Sequence, residues 1–218
     1  MSVLSSFIAA ILTNNRAQRY VALKILRADC YNGSHNIYER EILSKLSDSA
    51  LKTDHSGRDY VLPVLDQFEH NGPNGQHVCL VFEVLGHHLT FQTSKFEDGR
   101  LPVKTVRSIT RQLLLGLDFL HRECGIIHTG TYMTMELTNA KYAEKDNSID
   151  LKPTNILLEL ENPQENVSTY ISETPPRMIE KDGGYVPARE VIRTPLITEM
   201  REPHIRIIDF GVGRCSYC

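Results

Sequence analysis

The sequence predicts an α+β fold in which a small, strand-rich part precedes a larger helical part. Short apolar runs typical of buried strands alternate with one amphipathic stretch up to residue 86. From Pro102 the apolar residues recur at helical spacing instead. The chain of 218 residues is 41% hydrophobic and 23% charged, which excludes collagen-like, coiled-coil and wholly disordered proteins.

The small part is predicted to contain elements in the order strand, helix, strand, strand. The first strand, at 20–26, is apolar and β-branched and carries a single lysine. An amphipathic helix follows at 34–46, with Ser34 available as its N-cap. Two more apolar strands are predicted at 61–65 and 78–85, and turn-forming residues separate them.

The larger part is predicted to begin with a long helix at 102–122. Short apolar segments follow at 126–128 and 155–158, and another strand is predicted at 205–209. The stretch at 159–203 is rich in Pro, Glu, Ser and Thr and has weak periodicity. We therefore expect it to be a long and largely irregular spacer.

Composition also bears on the compartment in which the protein works. No apolar run reaches the roughly 18 residues that a membrane-spanning helix requires. The apolar start at 3–12 resembles the core of a signal peptide, but no Lys or Arg precedes it, so we interpret it as a chain terminus. The odd number of cysteines, five, favours reduced thiols of a cytosolic or nuclear protein. A net charge of −3 gives no reason to expect nucleic-acid binding.

Several polar residues could carry chemistry, although each has an ordinary structural interpretation. Lys24 could extend its amine to solvent, Glu39 could be one of several exposed helix acids, and Asp209 could belong to a turn. Their order along the chain favours a functional interpretation, because it is the order of the protein-kinase signature. The signature motifs present are Val21-Ala22-Leu23-Lys24, a helical Glu, Phe82-Glu83-Val84-Leu85, His128, Asp150-Leu151-Lys152-Pro153-Thr154-Asn155 and Asp209-Phe210-Gly211.

With these motifs the chain resembles eukaryotic protein kinases, and more narrowly the SR-protein kinases that phosphorylate Arg/Ser-rich splicing factors. The narrower resemblance rests on the segments 18–24 and 80–89, and on His128-Thr129 where most kinases have His-Arg. It covers about residues 18 to 213. It implies a two-lobed protein-kinase-like fold with a small β-rich N-lobe and an incomplete helical C-lobe.

The resemblance implies catalytic and phosphate-binding roles for four residues. Asp150 would accept the proton of the substrate hydroxyl, and Lys152 would steady the γ-phosphate of ATP. Lys24 would hold the α- and β-phosphates, and Glu39 would orient Lys24 through an ion pair. Phosphoryl transfer depends mainly on such positioning and electrostatics.

The resemblance also implies how the rest of the nucleotide would be held. Glu83 and Leu85 would present backbone groups to adenine. Asp209 would bind Mg²⁺ that bridges the phosphates, and Asn155 would bind a second Mg²⁺. His128 would brace the catalytic loop without contacting substrate.

Both ends of the chain depart from the family pattern. Residues 1–19 contain no glycine, so the glycine-rich loop expected before Lys24 is absent, and the sequence stops nine residues after Asp209. We therefore expect a divergent N-terminal segment at 1–19, a partial N-lobe and hinge at 20–86, and a partial C-lobe at 87–218.

A 20-residue block at 130–149 separates His128 from the Asp150 motif, whereas the family joins them directly. If Gly130 is encoded GGT and Ile149 ATA, the nucleotides from the second base of codon 130 through the first base of codon 150 begin with GT and end with AG. We interpret the block as a retained intron. In the protein it would disturb catalysis, since a shift of about 1 Å in a catalytic group can lower a rate roughly a hundredfold.

Two hypotheses for function remain open at this point. The first is an ATP- and Mg²⁺-dependent protein serine/threonine kinase acting on Arg/Ser-rich proteins, and the presence of all the motif residues favours it. The second is a catalytically impaired kinase-like module that binds partners, and the missing glycine loop favours it. The resemblance further implies a monomer in cytoplasm and nucleus whose partner is a protein substrate, without direct binding to nucleic acid or membrane.

Overall fold

The strands and helices of the computed structural model form an α+β fold, which confirms the predicted fold class. The residues that the structure describes are 5–14, 17–28, 39–73, 75–126, 151–173, 177–181, 184–188 and 202–210.

A four-stranded antiparallel sheet forms the first part of the fold. Its strands are β1 (Ser5–Asn14), β2 (Ala17–Leu26), β3 (Asp66–Gly72) and β4 (Gly75–Phe82). They lie side by side in the order β1-β2-β4-β3. β1 pairs with β2 along its whole length, from Ser5 opposite Leu26 to Asn14 opposite Ala17. The apolar start that we interpreted as a chain terminus thus contributes a strand to the sheet.

Helices cover about half of the remaining described chain. The α-helices are α1 (Glu39–Lys52), α2 (Leu89–Thr93), α3 (Val103–Arg122) and α4 (Pro163–Glu173), and short 3-10 helices span Ser56–Tyr60 and Pro153–Asn155. α3 confirms the long helix predicted from the apolar spacing. α1 continues beyond the predicted end at Leu46, and its last turn exposes Leu51 to solvent, which is why the apolar pattern stops too early.

Two antiparallel strand pairs complete the described fold. β5 (Ile156–Leu158) pairs with β8 (Ile205–Ile207), and β6 (Arg177–Lys181) pairs with β7 (Gly184–Ala188). α4, β6 and β7 all lie in the spacer at 159–203, so the expectation of largely irregular structure does not hold for the described part of the spacer. α4 escaped detection because Val167 is fully buried while most of the residues around it in the helix are polar, which leaves little apolar periodicity.

The strand predicted at 61–65 is also wrong, and β3 lies just after it. Val61 and Leu62 are buried because they lie against β8, where the Leu62 N–H donates to the Ile207 carbonyl at 3.0 Å. Pro63 has no N–H to donate and cannot extend this contact into a ladder. β3 itself is an edge strand with mostly exposed polar residues, so hydrophobicity gave no signal for it.

The main hydrophobic core joins α1, β4 and α3 to Phe210. The first 3-10 helix approaches α3 so closely that a Cβ on Gly57 would lie 1.9 Å from the Leu115 carbonyl oxygen. Only glycine permits this contact. The core therefore fixes Phe210, and with it the neighbouring Asp209, relative to α1 and the sheet.

Some predictions fall on residues outside the described part of the chain. These are the Ser34 cap and the block at 130–149. Cys79 and Cys124 are buried free thiols. Within the described residues, no helix combines the length and apolar character needed to cross a membrane.

Candidate functional site

A buried lysine forms the centre of the candidate site. Lys24 lies on β2 opposite Leu80 of β4 and is 3% exposed. Its Nζ is 2.5 Å from Glu39 Oε1 and 3.0 Å from Asp209 Oδ1. A buried charge is tolerated when it is paired, and here two carboxylates provide the pairing. We call Lys24, Glu39 and Asp209 the charged triad.

Each member of the charged triad comes from a different element. Lys24 lies on the sheet, and Glu39 is the first residue of α1 and is also 3% exposed. Asp209 follows β8, and its side chain is 39% exposed. Residues far apart in sequence therefore meet at one point, with Asp209 as the member that solvent reaches.

The pKa values of Lys24 and Glu39 both lie above their ordinary values, for different reasons. Burial alone would lower the pKa of Lys24, but the carboxylates of Glu39 and Asp209 outweigh it and raise it. Burial raises the pKa of Glu39, and the charge of Asp209 adds to this while Lys24 opposes it. Because one cation faces two carboxylates, the arrangement stabilises the charged form of Lys24 more than the charged form of Glu39.

The backbone of Asp209 adopts an unusual conformation. Its φ is +65°, in the left-handed region that aspartate tolerates better than most residues. Such conformations persist where the surroundings impose them, often at functional sites. Here Phe210 is buried in the core on one side, and on the other the Ile208 N–H donates to the Asn155 carbonyl at 3.0 Å.

The second 3-10 helix brings Lys152 and Asn155 next to this segment. The Asn155 N–H donates to the Lys152 carbonyl at 2.8 Å, which closes the turn. Asn155 is buried and Lys152 is exposed. The Asn155 carbonyl accepts a hydrogen bond from the N–H of Ile208, which is the residue before Asp209.

The segment after β4 is tied to β5 by its backbone. The Gly86 N–H donates to the Leu158 carbonyl at 2.7 Å, and the Leu158 N–H donates to the His87 carbonyl at 3.3 Å. Leu85 is buried and Glu83 is partly exposed. β4 ends at Phe82 rather than at residue 85 as predicted, so Glu83 and Leu85 lie in this connecting segment.

The structure does not bring every predicted site residue together. Asp150 and His128 lie outside the described residues, so their predicted roles stay predictions. Lys24 contacts both Glu39 and Asp209 directly. The segment after β4 is hydrogen-bonded to β5, and β5 pairs with β8, which leads to Asp209.

Sequence reasoning missed two residues that hold β8 in place. Gln112 of α3 donates from Nε2 to the Pro203 carbonyl at 2.6 Å and accepts at Oε1 from the Ile205 N–H at 2.9 Å. Arg206 ion-pairs with Glu83 and Glu159. The available signal was an arginine between the two apolar residues Ile205 and Ile207.

The donor set suits a metal ion that arrives with a nucleotide. Within the described residues, no group of three or more His, Cys, Asp or Glu side chains could hold a metal by itself. Mg²⁺ in nucleotide sites is instead held by one or two carboxylates together with substrate phosphates. Asp209 offers a solvent-accessible carboxylate, and Asn155 an amide oxygen from the adjoining segment. These oxygen donors fit Mg²⁺.

Comparison with known proteins finds similarity to protein kinases over part of the chain. It is 38% identical to Serine/threonine-protein kinase SKY1 of Saccharomyces cerevisiae over 155 residues, which are 71% of this chain and 18% of that protein. It is 41% identical to Protein kinase dsk1 of Schizosaccharomyces pombe over 142 residues, 65% of this chain and 22% of that protein. The chain is similar to these two kinases over the matched stretches.

A vertebrate kinase gives the same result. SRSF protein kinase 3 of Homo sapiens is 37% identical over 141 residues, 65% of this chain and 21% of that protein. The matched stretch spans about a fifth of the length of these kinases. No protein-family model matches the chain.

Proposed function

We propose that this chain carries phosphoryl-transfer machinery of an ATP-dependent protein serine/threonine kinase. The observation that carries the proposal is the charged triad, in which Lys24 is ion-paired to Glu39 at 2.5 Å and to Asp209 at 3.0 Å. A buried, doubly paired amine beside a solvent-accessible carboxylate suits the binding of polyphosphate and its cation. The similarity to named serine/threonine kinases supports the same reaction.

Lys24 would bind the α- and β-phosphates, and Glu39 would keep the amine oriented. The raised pKa of Lys24 keeps its amine protonated, so it can donate hydrogen bonds to phosphate oxygens. The 3% exposure of both side chains means that few water molecules compete for these contacts. Preorganised charge of this kind is the main source of catalysis in phosphoryl transfer.

Asp209 and Asn155 would hold Mg²⁺ when the nucleotide binds. The ion neutralises negative charge on the phosphate oxygens. The left-handed backbone of Asp209 and the hydrogen bond between Ile208 and Asn155 keep these two donors on adjoining segments.

The remaining roles belong to the catalytic loop and the segment after β4. Asp150 would accept the proton of a substrate serine hydroxyl, and the exposed Lys152 would steady the γ-phosphate. Backbone groups of Glu83 and Leu85 would contact adenine. The Gly86 N–H, which donates to Leu158, and the His87 carbonyl, which accepts from Leu158, hold this segment beside β5.

The substrate in this proposal is serine within Arg/Ser-rich protein segments. One relative carries SRSF protein kinase in its name, and the resemblance in the segments 18–24 and 80–89 points to the same group. By the same resemblance the protein acts as a monomer in cytoplasm and nucleus.

The test is transfer of labelled γ-phosphate from Mg-ATP to an Arg/Ser-repeat peptide by the full chain. Lys24→Met should lower the rate at least about a hundredfold, because removing one preorganised electrostatic group costs about 10²–10³ in rate. Lys95→Met is the matched control, since Lys95 is an exposed lysine whose amine lies 5.8 Å from the centre of the Phe91 ring. Its rate should equal that of the wild type.

A second peptide, with every arginine replaced by lysine, tests the substrate class. Transfer at equal rates to both peptides would contradict the Arg/Ser assignment while leaving the kinase assignment intact. Equal rates for the wild type and Lys24→Met, with both proteins folded, would contradict the kinase assignment itself.

A further inference from the structure

One arginine connects three parts of the fold beside the charged triad. Arg206 of β8 has its Nε 3.2 Å from Glu83 Oε1 and its Nη2 2.5 Å from Glu159 Oε1. Its Nη1 donates to the Asp59 carbonyl at 2.5 Å and faces the Val61 carbonyl at 3.4 Å. The guanidinium therefore contacts the segment after β4, the residue after β5 and the 3-10 helix that follows α1.

The position of Arg206 follows from the alternation of side chains along a strand. Ile205 and Ile207 are fully buried on one face of β8, so Arg206 between them lies on the opposite face. Arg206 is opposite Leu157 of β5 in the ladder, and Glu159 follows β5 by one residue. The hydrogen bond from Gly86 to Leu158 brings the segment after β4 to the same face.

The charges at this point require an arginine. The Arg206 side chain is 17% exposed and pairs with two carboxylates, of which Glu159 also lies 3.0 Å from His204 Nδ1. Its planar fork of five donors can face two carboxylates and a carbonyl at once, which the single amine of lysine cannot do. Loss of the guanidinium would leave Glu83 and Glu159 as neighbouring carboxylates without this cation, and their repulsion would separate the segments that carry them.

These contacts join the two halves of the proposed nucleotide site. Arg206 precedes Asp209 by three residues in sequence, and Glu83 precedes Leu85 by two. One side chain thus links the segment proposed to contact adenine to the strand that leads to Asp209. The link to Glu83 is an ion pair by charge and distance, since within the described residues neither Arg206 Nε nor Glu83 Oε1 forms a hydrogen bond.

We propose that Arg206 is a positioning residue for the nucleotide, holding the segment at 83–86 in register with β8 and Asp209. The inference rests on the proposed function, because it concerns the site that would bind ATP. Arg206 does not contact the nucleotide in this scheme. It acts through Glu83, and its loss should lower the affinity for the nucleotide.

The test combines amide hydrogen exchange of the nucleotide-free chain with calorimetric titration of a non-hydrolysable ATP analogue and Mg²⁺. In Arg206→Met, exchange at the Gly86 amide should be about tenfold faster, and the Kd for the analogue should rise about tenfold. Arg206→Lys keeps one positive charge and should fall between Arg206→Met and the wild type. Arg122→Met is the control, since Arg122 pairs with Asp118 at 2.7 Å on the exposed side of α3 and should change neither quantity.

The possible outcomes separate this inference from the proposed function. If the wild type binds the analogue and Arg206→Met binds it equally well, the positioning role is wrong and the proposed function stands. Unchanged exchange at Gly86 in Arg206→Met also overturns it. If the wild type binds no nucleotide, the proposed function fails, and this inference fails with it. Should Arg206→Met not fold, Arg206→Lys and Glu83→Gln carry the same comparison, and wild-type values for both would overturn the inference.

Discussion

At the scale of single residues, the sharing of one amine between two carboxylates decides how the site responds to pH. Lys24 pairs with both Glu39 and Asp209. At Glu39, burial disfavours the charged form more than the attraction of Lys24 favours it. In the folded chain Glu39 therefore holds its proton more tightly than in the unfolded chain. This links the ionisation of Glu39 to folding.

We expect Glu39→Gln to gain stability relative to the wild type as pH rises. The pKa of Glu39 in the folded chain lies above its ordinary value of 4.5. The wild type thus has the full benefit of protonated Glu39 below pH 4.5 and loses it as pH rises through the higher folded pKa. The titration of Lys24 also lowers the stability of the wild type as pH rises, but only above its ordinary pKa of 10.5.

The measurement is urea unfolding of both proteins at pH 4 and at pH 7. The free energy of unfolding of the wild type minus that of Glu39→Gln should be smaller at the higher pH. A difference that grows with pH would mean that Lys24 outweighs burial at Glu39.

The identity of single site residues could be predicted from sequence more readily than their contacts. Lys24, Glu39 and Asp209 are recognisable because each belongs to a local motif in a fixed order. Arg206 belongs to no such motif. Its role depends on carboxylates that come from distant parts of the chain, and only the folded strands bring them together.

At the scale of elements, a helix from the spacer forms hydrogen bonds with β2 beyond the end of its ladder with β4. β4 pairs with β2 from Ala22 to Ile25, so the ladder stops short of Tyr20. There Gln164 of α4 takes the place of a strand neighbour. Its Oε1 accepts from the Tyr20 N–H at 2.6 Å, and its Nε2 donates to the Tyr20 carbonyl at 2.9 Å.

Gln164→Ala should lower the free energy of unfolding by about 1–2 kcal/mol. Each hydrogen bond contributes about 0.5–1.5 kcal/mol, and the partly buried Tyr20 backbone would lose both partners. Gln76→Ala is the control, because Gln76 is an exposed glutamine of β4 and its loss should cost less than about 0.5 kcal/mol. Urea unfolding measures both, and equal losses would contradict a specific role for Gln164.

Elements were predicted from sequence where one apolar face is long and regular. α3 has such a face along its whole length and was found. β3 and α4 bury too little apolar surface to leave a pattern, and both were missed. Val61 and Leu62 show the opposite case, since they are apolar and buried but contact β8 without forming a strand of the sheet.

At the scale of the whole molecule, the core connects the sheet to the helical part through α1, β4, α3 and Phe210. The proposed nucleotide contacts come from both parts: Lys24 and Glu39 from one, and Asn155 and Asp209 from the other. A ligand held by both parts should resist their separation. Binding should therefore be visible in global unfolding.

We expect Mg-ATP to raise the Tm of the full chain by about 5–10 °C. A ligand at a hundredfold excess over its Kd stabilises the folded state by about 2.7 kcal/mol. For a chain of this size, each kcal/mol shifts Tm by about 2–4 °C. Differential scanning calorimetry checks this, and EDTA should remove most of the shift because the metal is part of the proposed contact. A shift that persists fully in EDTA would contradict a role for Asp209 in holding a cation.

The overall fold class could be predicted from the change near Pro102, where short apolar runs give way to apolar residues at helical spacing. The arrangement of the two parts could not. It depends on side-chain contacts such as Gln112 with Pro203 and Arg206 with Glu83, which leave no periodic signal.

The left-handed backbone of Asp209 has a consequence for mutational studies of this site. Alanine at this position would remove the carboxylate and would also place a residue that disfavours positive φ at a fixed turn, at about 1–2 kcal/mol. Asparagine tolerates the same backbone and changes the charge alone. An alanine scan would therefore combine the loss of the carboxylate with strain in the backbone. Asp209→Asn is the substitution that separates the two effects.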